Sequence, residues 1–172
     1  MTTSHFDVQL SASELMMAVQ AGALRRCQRI ADEQRDAALL DASRWWQSES
    51  EGCIGEMVLS KWLGLFWSGK GKRGEPDVGP FEVRYCWRKN AHLIIQPWDL
   101  KPDKINQPFF LVTGCAYNYQ IRGWITPGEG KEVGHLRKDI RSPTRYVHQS
   151  KLYSPESALQ YLEGKHGQNS TD

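Results

Sequence analysis

The first clear pattern of apolar and polar positions along the chain is helical. Ser11 and Glu14 have the spacing of a capping box, so a helix is predicted to begin here. Apolar residues then recur every three or four positions, and this stripe is expected to face the core, with charged residues such as Arg25 lying off it. The stripe consists of Leu15, Val19, Ala23, Cys27 and Ile30. Residues 1–10 are expected to be a flexible lead-in.

A second helix is predicted over Cys53–Leu65, and apolar residues cover most of its circumference, which is typical of a buried helix. Glu56 lies on this helix beside Leu59 and Leu63, and no basic residue of the same helix lies one turn away from it. A buried carboxylate costs several kcal/mol unless it is compensated. Glu56 should therefore have a partner from elsewhere in the fold, either an arginine or a metal ion.

After that helix the chain reads as a basic loop followed by a strand. The loop, 68–75, is rich in glycine and lysine and is followed by Pro76 and Asp77. In the segment 81–88 apolar and polar residues alternate, which predicts a strand with Glu82 and Arg84 on one face. That face is either the solvated side of a sheet or part of a site.

Further strands are predicted over 92–96, 109–114 and 119–126, with turn-forming residues between them. Residues 109–112 are apolar on both faces, which indicates a central strand covered on both sides. The pattern favours an α/β fold in which helices flank a mixed central sheet. Residues 134–148 are expected to form a loop or irregular edge, and a short helix should begin at Ser154 and Pro155 and fray from 164 onward.

Composition narrows the functional classes. A chain of 172 residues fits one domain, and a net charge of +2 is too small to indicate nucleic-acid binding without local basic patches. The four cysteines lack zinc-ligand spacing, the start has no secretory signal pattern and no apolar run approaches a membrane span, so a reducing cytoplasm is the expected setting. The basic loop matches neither a Walker A nor a dinucleotide-binding turn, so no organic cofactor is expected.

Three acidic residues carry the candidate chemistry. Glu56 comes from the buried helix, whereas Asp77 and Glu82 flank the start of the predicted strand. Magnesium prefers oxygen ligands, neutralises charge on phosphoryl oxygens and lowers the pKa of bound water. Carboxylates that converge from different elements would build a site for phosphodiester hydrolysis.

The order of these residues resembles a known family. Pro76-Asp77 followed by Glu82-Val83-Arg84 is similar to the PD-(D/E)XK signature of the restriction-endonuclease-like nuclease superfamily. The run from Gly52 to Glu56 resembles the acidic helix of many of its branches. Together with segments 61–65, 76–79 and 123–125, it is also similar to small phage-type proteins thought to have this fold.

The resemblance implies a restriction-endonuclease-like fold and a Mg²⁺ or Mn²⁺ site. It implies that Asp77 and Glu82 are metal ligands, that the Val83 carbonyl is a further ligand, and that Glu56 holds the metal directly or through water. Arg84 stands where the family has a lysine that is thought to orient or activate the attacking water. Arginine stays protonated, so it can stabilise a phosphoryl transition state but cannot act as a base. Another lysine, such as Lys61 or Lys89, or the metal itself would have to replace it.

The expected partner is DNA, held through phosphate contacts that are largely independent of sequence. The candidate contact residues are Lys70, Lys72, Arg73, Arg88, Lys89, Arg137, Lys138 and Arg141. Several of the seven tryptophans, among them Trp67, Trp87 and Trp98, could stack on bases, although core or rim packing is the commoner role.

The expected function is therefore metal-dependent hydrolysis of DNA by Glu56, Asp77, Glu82 and Arg84. The alternative is a module that retains the nuclease fold and binds nucleic acid or protein without cleaving. The sequence does not determine the oligomeric state or the form of DNA.

Overall fold

The computed structural model describes residues 5–32, 44–71, 74–138 and 142–161. These residues form a mixed α/β fold with two sheets and four helices. The helices are α1 (Ala12–Ala31), α2 (Trp45–Leu63), α3 (Pro127–Val133) and a short helix at 157–161. The strands are β1 (Phe6–Gln9), β2 (Glu82–Cys86), β3 (Leu93–Ile95), β4 (Phe109–Cys115), β5 (Asn118–Ile125), β6 (His135–Arg137) and β7 (Thr144–Val147).

The larger sheet has the strand order β1-β5-β4-β2. It is mixed, because β2 and β4 are parallel whereas the other neighbours are antiparallel. The smaller sheet, β3-β7-β6, is antiparallel. Strand β2 is therefore an edge strand of the larger sheet, with one side of its backbone unpaired in the sheet.

Strand β4 is covered on both faces, as the sequence predicts. Phe110 and Val112 join a core with residues of α2, whereas Phe109 and Leu111 join a second core with residues of β3 and β7. The expected α/β class is confirmed. The layers differ from the expected arrangement, in which helices flank the sheet. Helices cover one face of the large sheet, and the small sheet covers much of the other.

Helix α1 begins where the sequence predicts, with Ser11 as N-cap and Glu14 completing the capping box. The predicted core stripe is wrong, because Val19 and Ile30 are 41% and 52% exposed. The face that is buried instead carries Ala18, Gly22 and Arg26. Small side chains allow the two helices to approach closely, so steric fit overrides the apolar stripe.

Helix α2 is longer than predicted and begins at Trp45. Its second half is buried, as expected, and it ends at Gly64, which adopts the left-handed conformation common after helices. This half of α2 therefore belongs to the core. No helix among the described residues is long and apolar enough to cross a membrane.

Two glycines set the distances at which α2 packs. A Cβ atom on Gly22 of α1 would lie 2.5 Å from the Cα atom of Ser50 in α2. A Cβ atom on Gly55 of α2 would lie 2.8 Å from the Cβ atom of Tyr85 in β2. Helix α2 is thus wedged between α1 and β2 at close range, and this fixes the position of Glu56.

Several other expectations need correction. The predicted lead-in contains β1, which pairs with β5, and residues 134–148 contain β6 and β7 rather than a loop. Helix α3 is not among the predicted elements; it begins at Pro127, and proline is favoured in a first helical turn. The segment after Ser154 is a turn that becomes helical at 157. Residues 1–4, 33–43 and 164–172 lie outside the described residues.

The close approach of the two helices predicts opposite effects at two glycines. Gly22→Ala should destabilise the protein by about 1–3 kcal/mol, because the added methyl group meets the backbone of α2. Gly52→Ala should be neutral or stabilising by up to about 1 kcal/mol, because nothing lies within 4 Å of its Cβ position and alanine favours helix. Urea unfolding of both variants tests this, and equal effects would contradict the packing described here.

Candidate functional site

Glu56 is buried in α2 and forms an ion pair with Arg25 of α1. The guanidinium Nη1 and Nη2 atoms each donate to one carboxylate oxygen at 2.6 Å. The indole Nε1 of Trp67 donates to the same carboxylate at 2.8 Å. Both side chains of the ion pair are largely shielded from water, with 11% of Arg25 and 5% of Glu56 exposed. The sequence required a compensating partner for Glu56, and the structure supplies the arginine.

Arg25 also holds the basic loop. Its Nε atom donates to the carbonyl oxygen of Gly69 at 2.8 Å. Burial alone would lower the pKa of Arg25, but the hydrogen bonds and charge of Glu56 outweigh it and raise the pKa, so the guanidinium stays charged. Arg25 therefore connects α1, α2 and the loop that leads to Asp77. Sequence reasoning missed this role, since Arg25 was placed off the packed face of α1.

Asp77 lies beside the free edge of β2. Its Oδ2 atom accepts a hydrogen bond from the N–H of Val83 at 2.9 Å. The N–H of Glu82 donates instead towards β4, to the carbonyl of Pro108. The N–H and C=O of one strand residue point to the same side, so the Val83 carbonyl also faces the free edge. The carboxylate of Asp77 and the carbonyl of Val83 thus share one side of β2.

The electrostatic environment of Asp77 is unfavourable for its ionised form. Burial and the nearby charges of Glu82 and Glu56 raise the pKa of Asp77 to about 8, although the Val83 N–H and the charge of Arg84 act in the opposite direction. Glu56 and Glu82 each have a cation of their own, Arg25 and Lys104. The raised pKa therefore means that Asp77 is mainly protonated at neutral pH.

Glu82 is buried on the opposite face of β2 from Glu56. Val83 and Tyr85 face α2, as their contacts at Gly55 show, and strand alternation turns Glu82 and Arg84 to the other face. There the Nζ atom of Lys104 forms an ion pair with Oε1 of Glu82 at 2.8 Å. Sequence reasoning missed Lys104, because it lies in a turn 22 residues away with no local motif.

Arg84 is engaged inside the protein. Its Nη2 atom donates to both carboxylate oxygens of Asp99 at 2.9 Å, and its guanidinium lies 4.6 Å from the ring centre of Phe109. Asp99 is buried and also caps the short 3-10 helix Pro97–Leu100. The Arg84 side chain is 28% exposed, and its guanidinium, expected to contact phosphate, is already bound to Asp99.

The three predicted acids are not arranged as one metal centre. In the described ranges, no group of three or more His, Cys, Asp or Glu side chains could hold a metal ion. Glu56 and Glu82 lie on opposite faces of β2, and Asp77 lies at the edge between them. Asp77 and the Val83 carbonyl share the free edge of β2, whereas the carboxylate of Glu82 is paired with Lys104 on one face of the strand.

Five of the eight predicted DNA-contacting residues lie in the described part of the chain, and all five are exposed. Lys70 is exposed in the loop held by Arg25, whereas Lys72, Arg73 and Arg141 lie outside the described residues. The others that can be placed are exposed, and two of them are stacked on aromatic rings: Arg88 on Trp87 and Arg137 on Tyr146. Lys89 and Lys138 are the exposed neighbours of these two arginines.

In comparisons with known proteins, the chain matches no family model, no curated protein and no solved structure. The contacts of the site therefore carry the functional inference.

The buried ion pair should matter far more to stability than an exposed one. Arg25→Met leaves Glu56 buried without its cation and should cost about 3–5 kcal/mol. Lys61→Met removes the cation of the more exposed pair with Glu14 and should cost less than about 1 kcal/mol. Urea unfolding at neutral pH measures both changes. The double variant Arg25→Met with Glu56→Leu should recover much of the loss, and a loss as large as in the single variant would contradict charge burial as its cause.

The raised pKa of Asp77 predicts a pH-dependent effect of Asp77→Asn. Because the folded-state pKa is above the unfolded value of about 3.9, wild-type stability falls as pH rises towards about 8. The asparagine variant lacks this loss and can still accept the Val83 N–H bond. At about pH 8, without divalent cations, it should be more stable by at least about 1 kcal/mol, or roughly 2–4 °C in Tm.

The same melting curves test the cation. Mg²⁺ or Mn²⁺ in large excess over its Kd should raise the Tm of the wild type at about pH 8, by the equivalent of ~2.7 kcal/mol at 100 times the Kd. Asp77→Asn should show little of this shift. Equal cation shifts in both proteins would place any bound ion elsewhere.

Proposed function

We propose that this protein is a metal-dependent nuclease that hydrolyses DNA phosphodiester bonds at the free edge of β2, and that its fold is restriction-endonuclease-like. The observation that carries the proposal is the donor set at that edge. Asp77 lies among carboxylates that raise its pKa, and it shares the edge with the Val83 carbonyl. Carboxylate and carbonyl oxygens are the donors that a hard divalent cation prefers.

In this proposal Asp77, Glu82 and the Val83 carbonyl hold Mg²⁺ or Mn²⁺. The cation would neutralise charge on the phosphoryl group and lower the pKa of water. Glu56 has a different role from the expected one, since its carboxylate already accepts three hydrogen bonds from Arg25 and Trp67. It positions the basic loop and adds negative potential at Asp77.

Lys104 is the lysine that would replace the one missing at the position of Arg84. Its ammonium group lies 2.8 Å from Glu82, whereas Arg84 is bound to Asp99. An ammonium beside a metal-binding carboxylate can orient the attacking water or stabilise the developing charge on phosphate. Lys104 therefore serves the function that the motif lysine has in the family which this chain resembles.

A specific observation favours the alternative, a nucleic-acid-binding module that does not cleave. Two groups expected to face metal or phosphate, Glu56 and Arg84, are engaged in internal ion pairs. In that case the exposed arginines and lysines would bind phosphate and the acids would be purely structural.

Cleavage assays separate the two functions. Plasmid and single-stranded DNA are incubated with the protein and Mg²⁺ or Mn²⁺, and products are followed on gels. Wild type should cleave at least one of them, and Asp77→Asn should be slower by at least about 100-fold, because it removes a metal-binding carboxylate. Asp7→Asn is the matched control, since Asp7 lies on β1 at the opposite edge of the sheet, and it should cleave like wild type.

Lys104→Met distinguishes a catalytic role from binding in the same assay. It should bind DNA in EDTA about as well as wild type but cleave at least about 100-fold more slowly. Lys131→Met, at an exposed lysine of α3, should retain cleavage. Persistent cleavage in Asp77→Asn would show that the activity comes from another site, and DNA binding without cleavage by wild type under both metals would favour the non-cleaving module.

A further inference from the structure

A cavity of about 310 Å³ lies beside β2 on the face that carries Glu82 and Arg84. Strands β2, β3, β4 and β7 and the turn after β2 all contribute to its walls. Its lining includes Arg84, Arg88, Asn90, His92, Leu111 and Tyr146. This volume is at the lower end of the ~300–1,000 Å³ range of ligand pockets. It suits one nucleotide and is too small for a stretch of duplex.

An aromatic surface forms one wall. Tyr146 lies in the central strand β7 of the small sheet, opposite Ile94 of β3. The ring of His92 lies edge-on to it, with ring centres 6.3 Å apart. His92 in turn contacts the ring of His148 at 5.2 Å. Planar rings beside an apolar floor of Ile94 and Leu111 are suited to a nucleobase.

Positive charge borders the same cavity. Arg88 lines it, and the guanidinium of Arg137 lies 5.4 Å from the ring centre of Tyr146. The other arginine of the lining, Arg84, is paired with Asp99, so Arg88 is the lining arginine that can bind phosphate. Arg88 lies in the turn after β2, whereas Tyr146 comes from β7, so the cavity forms only where the two sheets meet.

We propose that this cavity binds one unpaired nucleotide of a DNA strand, with the base against Tyr146 and His92 and the backbone phosphate against Arg88. The proposal rests on the proposed function and specifies its substrate as single-stranded or locally unpaired DNA. Glu82 and Arg84 are neighbours on one face of β2, so a strand that enters the cavity at Arg84 passes next to the proposed cation site. A paired base would have to leave the DNA duplex before it could enter the cavity.

Binding in EDTA, where cleavage is absent, tests this inference independently of catalysis. Fluorescence anisotropy is measured with a short labelled oligothymidylate, with a duplex of the same length, and with an abasic strand of the same charge. Oligothymidylate should bind most tightly. Tyr146→Leu, which removes the ring but keeps an apolar side chain, and Arg88→Gln should each weaken it on the order of 5- to 100-fold.

Matched variants control for folding and for charge. Tyr146→Phe keeps the ring and should bind like wild type. Arg44→Gln makes the same change as Arg88→Gln at an exposed arginine that does not line the cavity, and it should leave binding largely unchanged. A cooperative thermal transition in Tyr146→Leu shows that it is folded.

Three results would overturn the inference: equal affinity for the abasic strand, binding insensitive to Tyr146→Leu, or displacement by thymidine monophosphate as effective as by the unlabelled strand. Either of the first two results would show that only phosphate is recognised. The third result would show that the cavity is a site for free mononucleotides. Single-strand binding with no cleavage in Mg²⁺ or Mn²⁺ would refute the nuclease proposal alone. Duplex cleavage without strand preference would refute only the proposed substrate.

Discussion

The ion pair between Arg25 and Glu56 is the interaction on which the rest of the site depends. Both charges are buried, and neither would be tolerated there without the other. The pair joins the two long helices. The Nε atom of Arg25 also donates to the Gly69 carbonyl, and this bond fixes the loop that runs towards Asp77. Glycines on both sides of α2 allow the approach that makes the pair possible. The loop geometry is thus a consequence of helix packing.

Strand β2 divides the acidic residues by its own alternation. Residues on one face pack under α2, where Glu56 lies, and residues on the other face lie over the second core, where Glu82 meets Lys104. Asp77 lies at the edge between them and is affected by both negative charges. The three acidic side chains therefore have three different surroundings: Glu56 is paired with Arg25, Glu82 is paired with Lys104, and Asp77 accepts a backbone N–H at the edge.

The sequence predicts the fold class well where one local signal dominates. The capping box of Ser11, the buried half of α2 and the doubly covered β4 were all correctly located. The packed face of α1 was not, because the contact depends on the small residues Ala18 and Gly22 rather than on the apolar stripe. Arg26 is buried on the same face, and its guanidinium lies 4.1 Å from the ring centre of Trp45 in α2, a contact that periodicity cannot indicate.

The candidate site was predictable only in part, for a similar reason. The need of Glu56 for a compensating charge follows from its apolar neighbours, but the choice between arginine and metal depends on tertiary contacts. Lys104 and Asp99 lie in or beside turns without a motif, and they become relevant only when the chain folds against Glu82 and Arg84. Arg88 is recognisable in the sequence as a basic residue, whereas its position in one cavity with Tyr146 depends on how the two sheets pack.

The environment of Asp77 links cation binding to proton release. At neutral pH, burial and the two neighbouring carboxylates favour the protonated form of Asp77, whereas a metal ligand must be deprotonated. A cation that binds at this edge therefore has to displace a proton, and its affinity should increase with pH. In the proposed site a bound cation would relieve the same repulsion that raises the pKa of Asp77. The pH dependence of stability and that of the proposed cation binding would then have one physical origin.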